Sequence, residues 1–266
     1  MFSILIAHYN NYDYFKDCYA SILKQTYQDY EIIIVDDCSD KEVYEKLVEL
    51  TKDDPKTKIS RNDENKGVGY TKRKCVELAA GEICGFLDPD DALSENALQI
   101  SIENHSENTI ATYSSFFLCN EKLQPIRRFP HSRSVKNNDK SFFNVFLEVN
   151  HFFTFKRQAY IETDGINPNL TSAVDQDLYL KLYEKGDFKF INTPLYFYRL
   201  HSNGVSQKTS KKKKLHLNWH HVILDTTKRR NIDVLQGKKV ADINDLPKFL
   251  KLKQNNLFVR ILRKFA

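Results

Sequence analysis

Three carboxylates lie within four residues at Asp88-Pro89-Asp90-Asp91, directly after an apolar run. Because like charges repel at this spacing, a bound cation would stabilise the cluster. Hard oxygen ligands suit Mg²⁺ or Mn²⁺, and these ions commonly bridge a protein carboxylate and the phosphates of a substrate. The structural alternative is a solvated acidic turn in which Asp91 caps the next helix.

A second acidic pair, Asp36-Asp37, follows another apolar run, and Tyr9 stands just after the first apolar run of the chain. Tyr9 could stack on a nucleotide base, and one carboxylate could accept a hydrogen bond from that base. The alternative is an acidic N-cap of the helix that follows the strand, which is common. Alone, the pair is a weak indication of a nucleotide site.

Three consecutive cations, Lys72, Arg73 and Lys74, lie on one predicted helix. Residues at this spacing point in different directions, so they cannot all face one ligand. One of them could donate a charge-assisted hydrogen bond to a diphosphate. For at least two of the three, a solvated cationic face is the favoured interpretation.

Two further carboxylates, Asp175 and Asp177, stand at the start of a predicted helix, where the helix dipole stabilises negative charge. One of them could instead be a general base that takes a proton from a hydroxyl nucleophile. Spacing does not decide between these two roles. His201, at the end of the last predicted strand, could ligate a metal or contact a phosphate, although a lone His there is usually structural.

The elements that carry these residues alternate between strand and helix. The predicted strands cover 2–7, 32–35, 58–61, 83–87, 110–119 and 188–200, and 124–138 is predicted to be a basic loop. The first predicted helix starts after an N-cap at Asp13, and the others cover 43–50, 69–79, 94–105, 142–149 and 175–185. Gly81 is predicted to close the helix at 69–79, and Gly186 the helix at 175–185. This alternation predicts an α/β fold with a mainly parallel sheet flanked by helices. Ligands bind outside the carboxyl ends of such strands, where both acidic clusters lie.

Composition and length limit the class of protein. The chain has 266 residues, 41% hydrophobic and 28% charged, as in ordinary soluble proteins. This length accommodates one large domain, or one domain with an appendage. Five cysteines without CxxC spacing argue against a disulfide framework or a zinc site and predict mostly buried thiols in a cytoplasmic compartment. No apolar stretch approaches the length of a spanning helix, and no signal peptide is expected.

Charge divides the chain into two parts. Residues 206–266 carry 16 Lys and Arg against 4 Asp and Glu, a net charge of +12, whereas residues 1–205 have a net charge of −7. The tail combines a lysine run at 211–214 with the apolar residues Phe249, Leu250, Leu252, Leu257, Phe258, Ile261 and Leu262. Two interpretations are open: a basic amphipathic surface that binds an anionic membrane, or a helical cover whose apolar stripe packs on the preceding domain.

In combination, eight short blocks resemble glycosyltransferase family 2, the inverting nucleotide-sugar enzymes of the GT-A fold. The blocks are 3–10 (SILIAHYN), 21–26 (SILKQT), 31–37 (EIIIVDD), 65–67 (NKG), 81–82 (GE), 86–91 (FLDPDD), 175–178 (DQDL) and 198–201 (YRLH). Each block is modestly specific, but their order is that of the family over about residues 1–205. The resemblance does not cover the tail.

The resemblance implies a set of donor contacts. Tyr9 and Asp37 match the positions that hold the nucleotide base, usually uracil, and Ala7 matches a third position that acts through its backbone. Where the family often has Ala-Arg-Asn, this chain has Thr-Lys-Arg at 71–73. The resemblance therefore leaves the donor contact to either Lys72 or Arg73.

The resemblance also implies a metal and a base. Asp88-Pro89-Asp90 matches the DxD motif, in which Asp90 would bind Mn²⁺ or Mg²⁺ and Asp88 the sugar or ribose. His201 matches a position that contacts the metal or the diphosphate. Asp175 matches the catalytic base, although the Glu that usually precedes it is Val174 here.

These expectations define a predicted function. The chain would be a metal-dependent inverting glycosyltransferase that moves a sugar from a UDP-sugar to a hydroxyl acceptor in bacterial surface polysaccharide or glycolipid assembly. Residues 1–205 would form the catalytic domain, with a nucleotide-sugar half at about 1–105 and an acceptor half at about 106–205, and residues 206–266 a basic helical extension. The alternatives are an inactive nucleotide-sugar-binding module and a nucleic-acid binder that uses the tail.

The predicted acceptor is a saccharide or a lipid-linked saccharide, and no nucleic acid is expected as a partner. It would meet the irregular segment 110–170, with the basic and aromatic side chains of Arg127, Arg128, His131, Arg133 and 151–153. Such an acceptor is compatible with a cytoplasmic protein held at the inner face of the plasma membrane by its tail.

Overall fold

The computed structural model describes residues 1–202 and 209–254. The strands are β1 (Phe2–His8), β2 (Tyr30–Asp36), β3 (Thr57–Arg61), β4 (Ile83–Phe86), β5 (Ala92–Leu93), β6 (Thr109–Cys119), β7 (Pro125–Arg128), β8 (Thr154–Lys156), β9 (Asp187–Arg199), β10 (Val234–Leu235) and β11 (Lys238–Lys239). The helices are α1 (Tyr12–Leu23), α2 (Lys41–Thr51), α3 (Val68–Leu78), α4 (Ala97–Glu103), α5 (Arg157–Ile161), α6 (Val174–Tyr183), α7 (Thr209–Arg229) and α8 (Leu246–Gln254), with a 3-10 turn at Val240–Asp242.

A nine-stranded sheet organises this part of the chain, in the order β3-β2-β1-β4-β8-β6-β9-β5, with β7 paired to β6. The ladders β3-β2, β2-β1, β1-β4 and β6-β9 are parallel and include the longest of the sheet. The shorter ladders that involve β5, β7 and β8 are antiparallel. The predicted α/β fold with a mixed, mainly parallel sheet is confirmed.

The central strands are covered on both faces. Every residue of β2 is buried, and consecutive side chains alternate between two apolar layers. Ile32 and Ile34 belong to the layer that contains Phe15 of α1. Ile33 belongs to the layer that contains Cys75 of α3. Because both faces are covered, the carboxyl edge of these strands is where a ligand can approach.

The predicted helix at 142–149 is wrong, because this segment is a loop. Asn144 and Leu147 adopt left-handed φ angles of 49° and 58°. The Asn144 side chain donates to the Val149 carbonyl and accepts from the Val149 N–H, both at 3.0 Å, and so closes the loop. The predicted basic loop at 124–138 is also partly wrong, because Pro125–Arg128 forms the exposed edge strand β7.

Three predicted helix boundaries differ from the structure. Gly81 does not close α3, because the residue after that helix, Ala79, is already extended. A Cβ at Gly81 would lie 2.6 Å from Ser3 Oγ, so this glycine permits a close contact with β1. Gly186 lies three residues beyond the end of α6, and Asp13 lies inside the first turn of α1 instead of at its N-cap.

The C-terminal extension packs on the sheet domain over its described residues. Its elements α7, β10, α8 and the 3-10 turn share an apolar cluster with the 142–149 loop. The cluster comprises Phe143, Val145, Ile223, Leu235, Val240, Ile243, Leu246 and Leu250. Arg230 also donates to the carbonyl oxygens of Lys140 and Phe142. This packing favours the cover interpretation here, although the extension includes a β-hairpin as well as helices.

Part of the predicted amphipathic surface lies outside the described residues, namely Leu257, Phe258, Ile261 and Leu262. Within the extension, Leu250 is buried in the apolar cluster, whereas Leu252 is exposed. Among the helices of residues 1–202 and 209–254, none combines the length and apolarity that crossing a bilayer requires.

His105 makes the stability of this fold depend on pH. Its Nε2 lies 2.9 Å from Thr154 Oγ1, and burial lowers the pKa of His105 from 6.5 to about 4. The unfolded chain therefore binds a proton in a pH range where the folded chain does not, so stability falls as pH falls from 6.5 to 4. Between pH 7 and 5, wild type should lose about 2 kcal/mol more unfolding free energy than His105→Gln. Urea denaturation at both pH values measures this difference, and identical losses would contradict it.

Candidate active site

The carboxyl ends of β1 and β2 carry the residues predicted to hold a base. Ala7 is the penultimate residue of β1. Tyr9 follows β1, and 50% of its surface is exposed. The Asp37 N–H donates to the His8 carbonyl at 2.8 Å, which joins the ends of the two strands. The structure therefore brings Ala7, Tyr9 and Asp37 to one edge of the sheet, with the ring of Tyr9 accessible.

The Asp37 carboxylate organises the loop at 65–67. Its Oδ1 accepts from the Lys66 N–H and from Asn62 Nδ2, and its Oδ2 accepts from the Gly67 N–H, all at 2.8 Å. Gly67, at a left-handed φ of 86°, then leads into α3. A carboxylate has about four acceptor sites, so Asp37 retains capacity for one more donor.

Asp36 plays a different part from its neighbour. Its side chain is fully buried, with Oδ1 at 2.9 Å from His8 Nδ1 and Oδ2 accepting from the Ser39 N–H at 2.9 Å. Burial opposes ionisation, but the hydrogen bonds from His8 and Ser39 lower the pKa of Asp36. Neither member of the acidic pair caps α2, whose N-cap is Asp40. Asp36 supports the turn from within.

Lys72 joins two of the predicted carboxylates. Its Nζ lies 2.8 Å from Asp175 Oδ1 and 3.1 Å from Asp88 Oδ1, and the lysine side chain is 6% exposed. Burial acts to lower the pKa of Lys72, but the carboxylates of Asp175 and Asp88 raise it well above its usual value. Burial likewise opposes ionisation of Asp88, and Lys72 is the main cause that lowers the pKa of Asp88. The predicted DxD motif and the predicted base therefore share one buried ammonium group.

Asp90 and His201 form a second pair beside the first. His201 Nε2 lies 2.8 Å from Asp90 Oδ2, and the imidazole is buried. Burial and the charge of Asp88 raise the pKa of Asp90, although the hydrogen bond with His201 acts to lower it. Carboxylate oxygen and imidazole nitrogen both suit Mn²⁺. Among the described residues no group of three or more His, Cys, Asp or Glu could hold a metal ion. Asp90 and His201 are thus two protein donors that an ion could share with other ligands.

Buried residues that the sequence analysis did not single out hold the turn at residues 88–91, which we call the DxD turn. Asp91 does not cap a helix: its carboxylate accepts from the Tyr196 hydroxyl at 2.6 Å and from the Arg199 N–H at 2.7 Å. The buried Arg199 side chain donates to the Asp90 carbonyl at 2.6 Å and to Asp17 Oδ2 at 2.9 Å. The only available signal was that Arg199 precedes His201 in the same short block.

The structure distinguishes Asp175 from Asp177. Asp177 is 1% exposed, and its Oδ2 accepts from the Asn167 N–H at 2.8 Å and from Lys181 Nζ at 2.9 Å. Asp175 faces Lys72, with 37% of its side chain exposed. The N-cap of α6 is Ala173, so neither carboxylate occupies that position. Asp177 fixes the loop before α6, and Asp175 is the carboxylate that a substrate could reach.

A glycine sets the position of this loop against α3. The Gly69 N–H donates to the Leu170 carbonyl at 3.0 Å, and an added Cβ would lie 2.6 Å from that oxygen. Because the oxygen belongs to the backbone, Gly69→Ala must move the loop, and we expect it to reduce the unfolding free energy by about 1–3 kcal/mol. Leu78→Ala, at an exposed position of the same helix, should change it by less than about 0.5 kcal/mol. Equal effects in urea denaturation would contradict this packing.

The remaining cations of α3 do not face the carboxylates. Arg73 donates to the carbonyl oxygens of Asp164 and Ile166 at 3.1 and 3.2 Å. Lys74 donates to Asn62 Oδ1 at 3.0 Å. Of the two predicted donor contacts, the structure therefore brings Lys72 to the site and not Arg73.

Comparisons with known proteins indicate the family of the chain. The family model described as "Glycosyl transferase family 2" matches residues 3–163. The chain is 28% identical to the chondroitin synthase of Escherichia coli over 96% of this chain and 36% of that protein. It is 28% identical to the putative teichuronic acid biosynthesis glycosyltransferase TuaG of Bacillus subtilis over 77% of this chain and 81% of that protein.

The fold also matches a solved structure. TarS residues 1–349 of S. aureus in complex with UDP-GlcNAc superimpose with a TM-score of 0.69 at 18% identity, over 88% of this chain and 68% of that one. The chain spans only 36%, 25% and 21% of the first three curated relatives that it matches. With the family model matching more than half of its residues, the chain belongs to glycosyl transferase family 2.

Proposed function

We propose that this chain transfers a sugar from a nucleotide diphosphate donor, UDP being the preferred nucleotide, to a hydroxyl acceptor with inversion at the anomeric carbon. The observation that carries the proposal is the shared Lys72 ammonium between Asp88 and Asp175. Asp88 follows β4, the neighbour of β1, and so lies beside the strand ends that precede Tyr9 and Asp37. The residues that we propose to bind the nucleotide thus follow strands at one edge of the sheet, and Lys72 joins the reachable carboxylate of Asp175 to Asp88 at that edge.

The chain's own groups divide the chemistry between them. Asp37 would accept a hydrogen bond from the base, on which Tyr9 would stack, while Asp88 would bind the sugar or ribose. Asp175 would accept the proton of the acceptor hydroxyl as that oxygen attacks the anomeric carbon. Lys72, released from one of its two carboxylates, would donate to the departing diphosphate.

Metal dependence is part of this proposal. Asp90 and His201 would hold a divalent ion, Mn²⁺ or Mg²⁺, as their oxygen and nitrogen donors fit such an ion. When bound, that ion would supply Lewis-acid stabilisation of the diphosphate leaving group. The Arg199 side chain donates a hydrogen bond to the backbone carbonyl of Asp90 and so holds the DxD turn in place.

The pathway and location are proposed from the relatives. The names of the relatives include chondroitin synthase and a teichuronic acid biosynthesis glycosyltransferase, both concerned with bacterial polysaccharides. We therefore propose surface polysaccharide or glycolipid assembly, with a saccharide or lipid-linked saccharide acceptor. For location we propose that the basic side chains of the extension bind the inner face of the plasma membrane, while its buried apolar residues pack on the sheet domain. Vesicle flotation with and without anionic lipid would test this binding.

A thermal-shift panel of UDP, GDP, CDP and ADP, each with Mn²⁺, Mg²⁺ or EDTA, tests the donor site. Ligand at 100 times its Kd stabilises the folded state by about 2.7 kcal/mol, which raises Tm by several degrees. We expect UDP with metal to give the largest shift, and Asp90→Ala to lose the part that depends on metal. The exposed Asp53→Ala should behave as wild type. No shift with any nucleotide would contradict the donor site, a shift without sugar transfer would favour the inactive nucleotide-sugar-binding module, and salt-dependent DNA binding would favour the nucleic-acid alternative.

A further inference from the structure

A continuous row of aromatic rings runs from the exposed surface to the DxD turn. We call His131, Phe129, Phe116, His151, Tyr198 and Tyr196 the aromatic row. At its outer end, the ring of the exposed His131 meets that of Phe129 at 5.3 Å, edge to face. Phe129 stacks on the buried Phe116 at 4.6 Å between centroids. The outer half of the row is thus fixed to β6 by stacking.

The inner half of the row rests on His151. This ring lies edge-on to Phe116 at 5.7 Å and stacks on Tyr198 at 5.7 Å and on Tyr196 at 4.7 Å. His151 and Tyr198 are only partly buried, so part of each side chain remains accessible. The row therefore offers several ring surfaces in an ordered arrangement.

The row ends at the turn formed by residues 88–91. The Tyr196 hydroxyl donates to Asp91 at 2.6 Å and accepts from the Asp88 N–H at 3.3 Å. Because Tyr196 is fully buried, the accessible part of the row ends at His151 and Tyr198, one ring away from this turn.

The position of the row in the sheet separates it from the donor site. Tyr9 and Asp37 follow β1 and β2, whereas the row belongs to β6, β9 and the segments next to β7 and β8. Strand β4, which precedes Asp88, lies between these two groups of strands. An acceptor must approach the anomeric carbon from the side opposite the diphosphate. The row occupies the side of the sheet that the nucleotide does not need.

We propose that the aromatic row is the acceptor subsite and that its ligand is a pyranose chain whose sugar rings stack on His151, Tyr198 and His131. This inference rests on the proposed function. Binding sites for such ligands combine aromatic surface with a few polar groups that set orientation. The imidazoles of His131 and His151 and the Tyr198 hydroxyl supply those polar groups.

Calorimetric titration of the full chain with UDP and Mg²⁺, and then with two tetrasaccharides, tests the inference. The probes are the neutral chitotetraose and the anionic chondroitin tetrasaccharide. We expect at least one to bind wild type and to bind His151→Ala about tenfold more weakly, because a stacking ring is lost. His131→Ala should cause a smaller loss, and both variants should retain UDP affinity.

Two further variants make the outcome decisive. His151→Phe retains a ring but no ionisable group, so it should retain most of the tetrasaccharide affinity. Tyr70→Ala removes an exposed ring on α3, outside the row, and should change neither affinity. The subsite would be overturned if wild type bound UDP but neither tetrasaccharide, or if wild type and His151→Ala bound the tetrasaccharide with equal affinity. Failure of UDP itself to bind would overturn the proposed function, and the acceptor assignment with it.

Discussion

Asp175→Asn should slow sugar transfer by a factor of about 10²–10⁴ while leaving the Kd of UDP close to that of wild type. The amide has the shape of the carboxylate but cannot accept the proton of the acceptor hydroxyl. Turnover with a nucleotide sugar, measured by UDP release, gives the rate, and calorimetry gives the affinity. Asp164→Asn, an exposed acid to amide change on the loop before α6, is the matched control and should keep the wild-type rate.

A near-wild-type rate in Asp175→Asn would remove this residue from the role of base. A loss of UDP affinity equal to the loss of rate would instead place Asp175 among the donor contacts. The structure already distinguishes it from the buried Asp177, whose Oδ2 accepts from the Asn167 N–H and from Lys181 Nζ. Asp177→Asn should therefore lower the unfolding free energy, whereas Asp175→Asn should mainly lower the rate of sugar transfer.

Lys72→Met should impair both stability and turnover. Without the ammonium, Asp88 and Asp175 face each other as unbalanced carboxylates in a partly buried site. Breaking a fully buried pair costs about 3–5 kcal/mol, and the partial exposure of both acids reduces the expected loss to about 2 kcal/mol. Lys41→Met, which replaces a lysine with 87% of its side chain exposed on α2, is the control and should change the unfolding free energy by less than about 0.5 kcal/mol.

A double variant separates charge balance from packing. If repulsion between the carboxylates causes the instability, Lys72→Met with Asp175→Asn should be more stable than Lys72→Met alone, a coupling of about 1 kcal/mol. Additive losses in urea denaturation would mean that Lys72 acts through its aliphatic chain. Wild-type stability and turnover in Lys72→Met would contradict the shared-ammonium arrangement.

The regular half of the molecule could be predicted because its signals are local. Strands such as β1 and β2 are continuous apolar runs, and helices such as α1 have one apolar face. The carboxyl ends of parallel strands meet at one edge, so the convergence of Asp37 and Asp88 also followed from the order of elements. The sheet edge that carries Asp37 and Asp88 could therefore be predicted from short-range patterns and one topological rule.

The remaining features depend on contacts between distant segments. No spacing indicates that Lys72 and not Arg73 turns toward Asp175, because that choice depends on how α3 packs against the 164–170 loop. The apolar periodicity at 142–149 resembles a helix, but the Asn144 side chain closes a loop that packs on the extension. The role of Arg199 could not be predicted from the sequence for the same reason, because its partners Asp17 and Asp90 come from other parts of the chain.

The most direct test of inversion with Asp175 as base is to observe which anomer leaves the enzyme. With the UDP-sugar selected by the thermal-shift panel and water as acceptor, proton NMR can follow the sugar before it mutarotates. Single displacement of an α-linked donor should release the β-anomer first in wild type, and Asp175→Asn should slow its appearance at least about a hundredfold. Initial release of the α-anomer, or equal rates in both proteins, would contradict single displacement with Asp175 as the base.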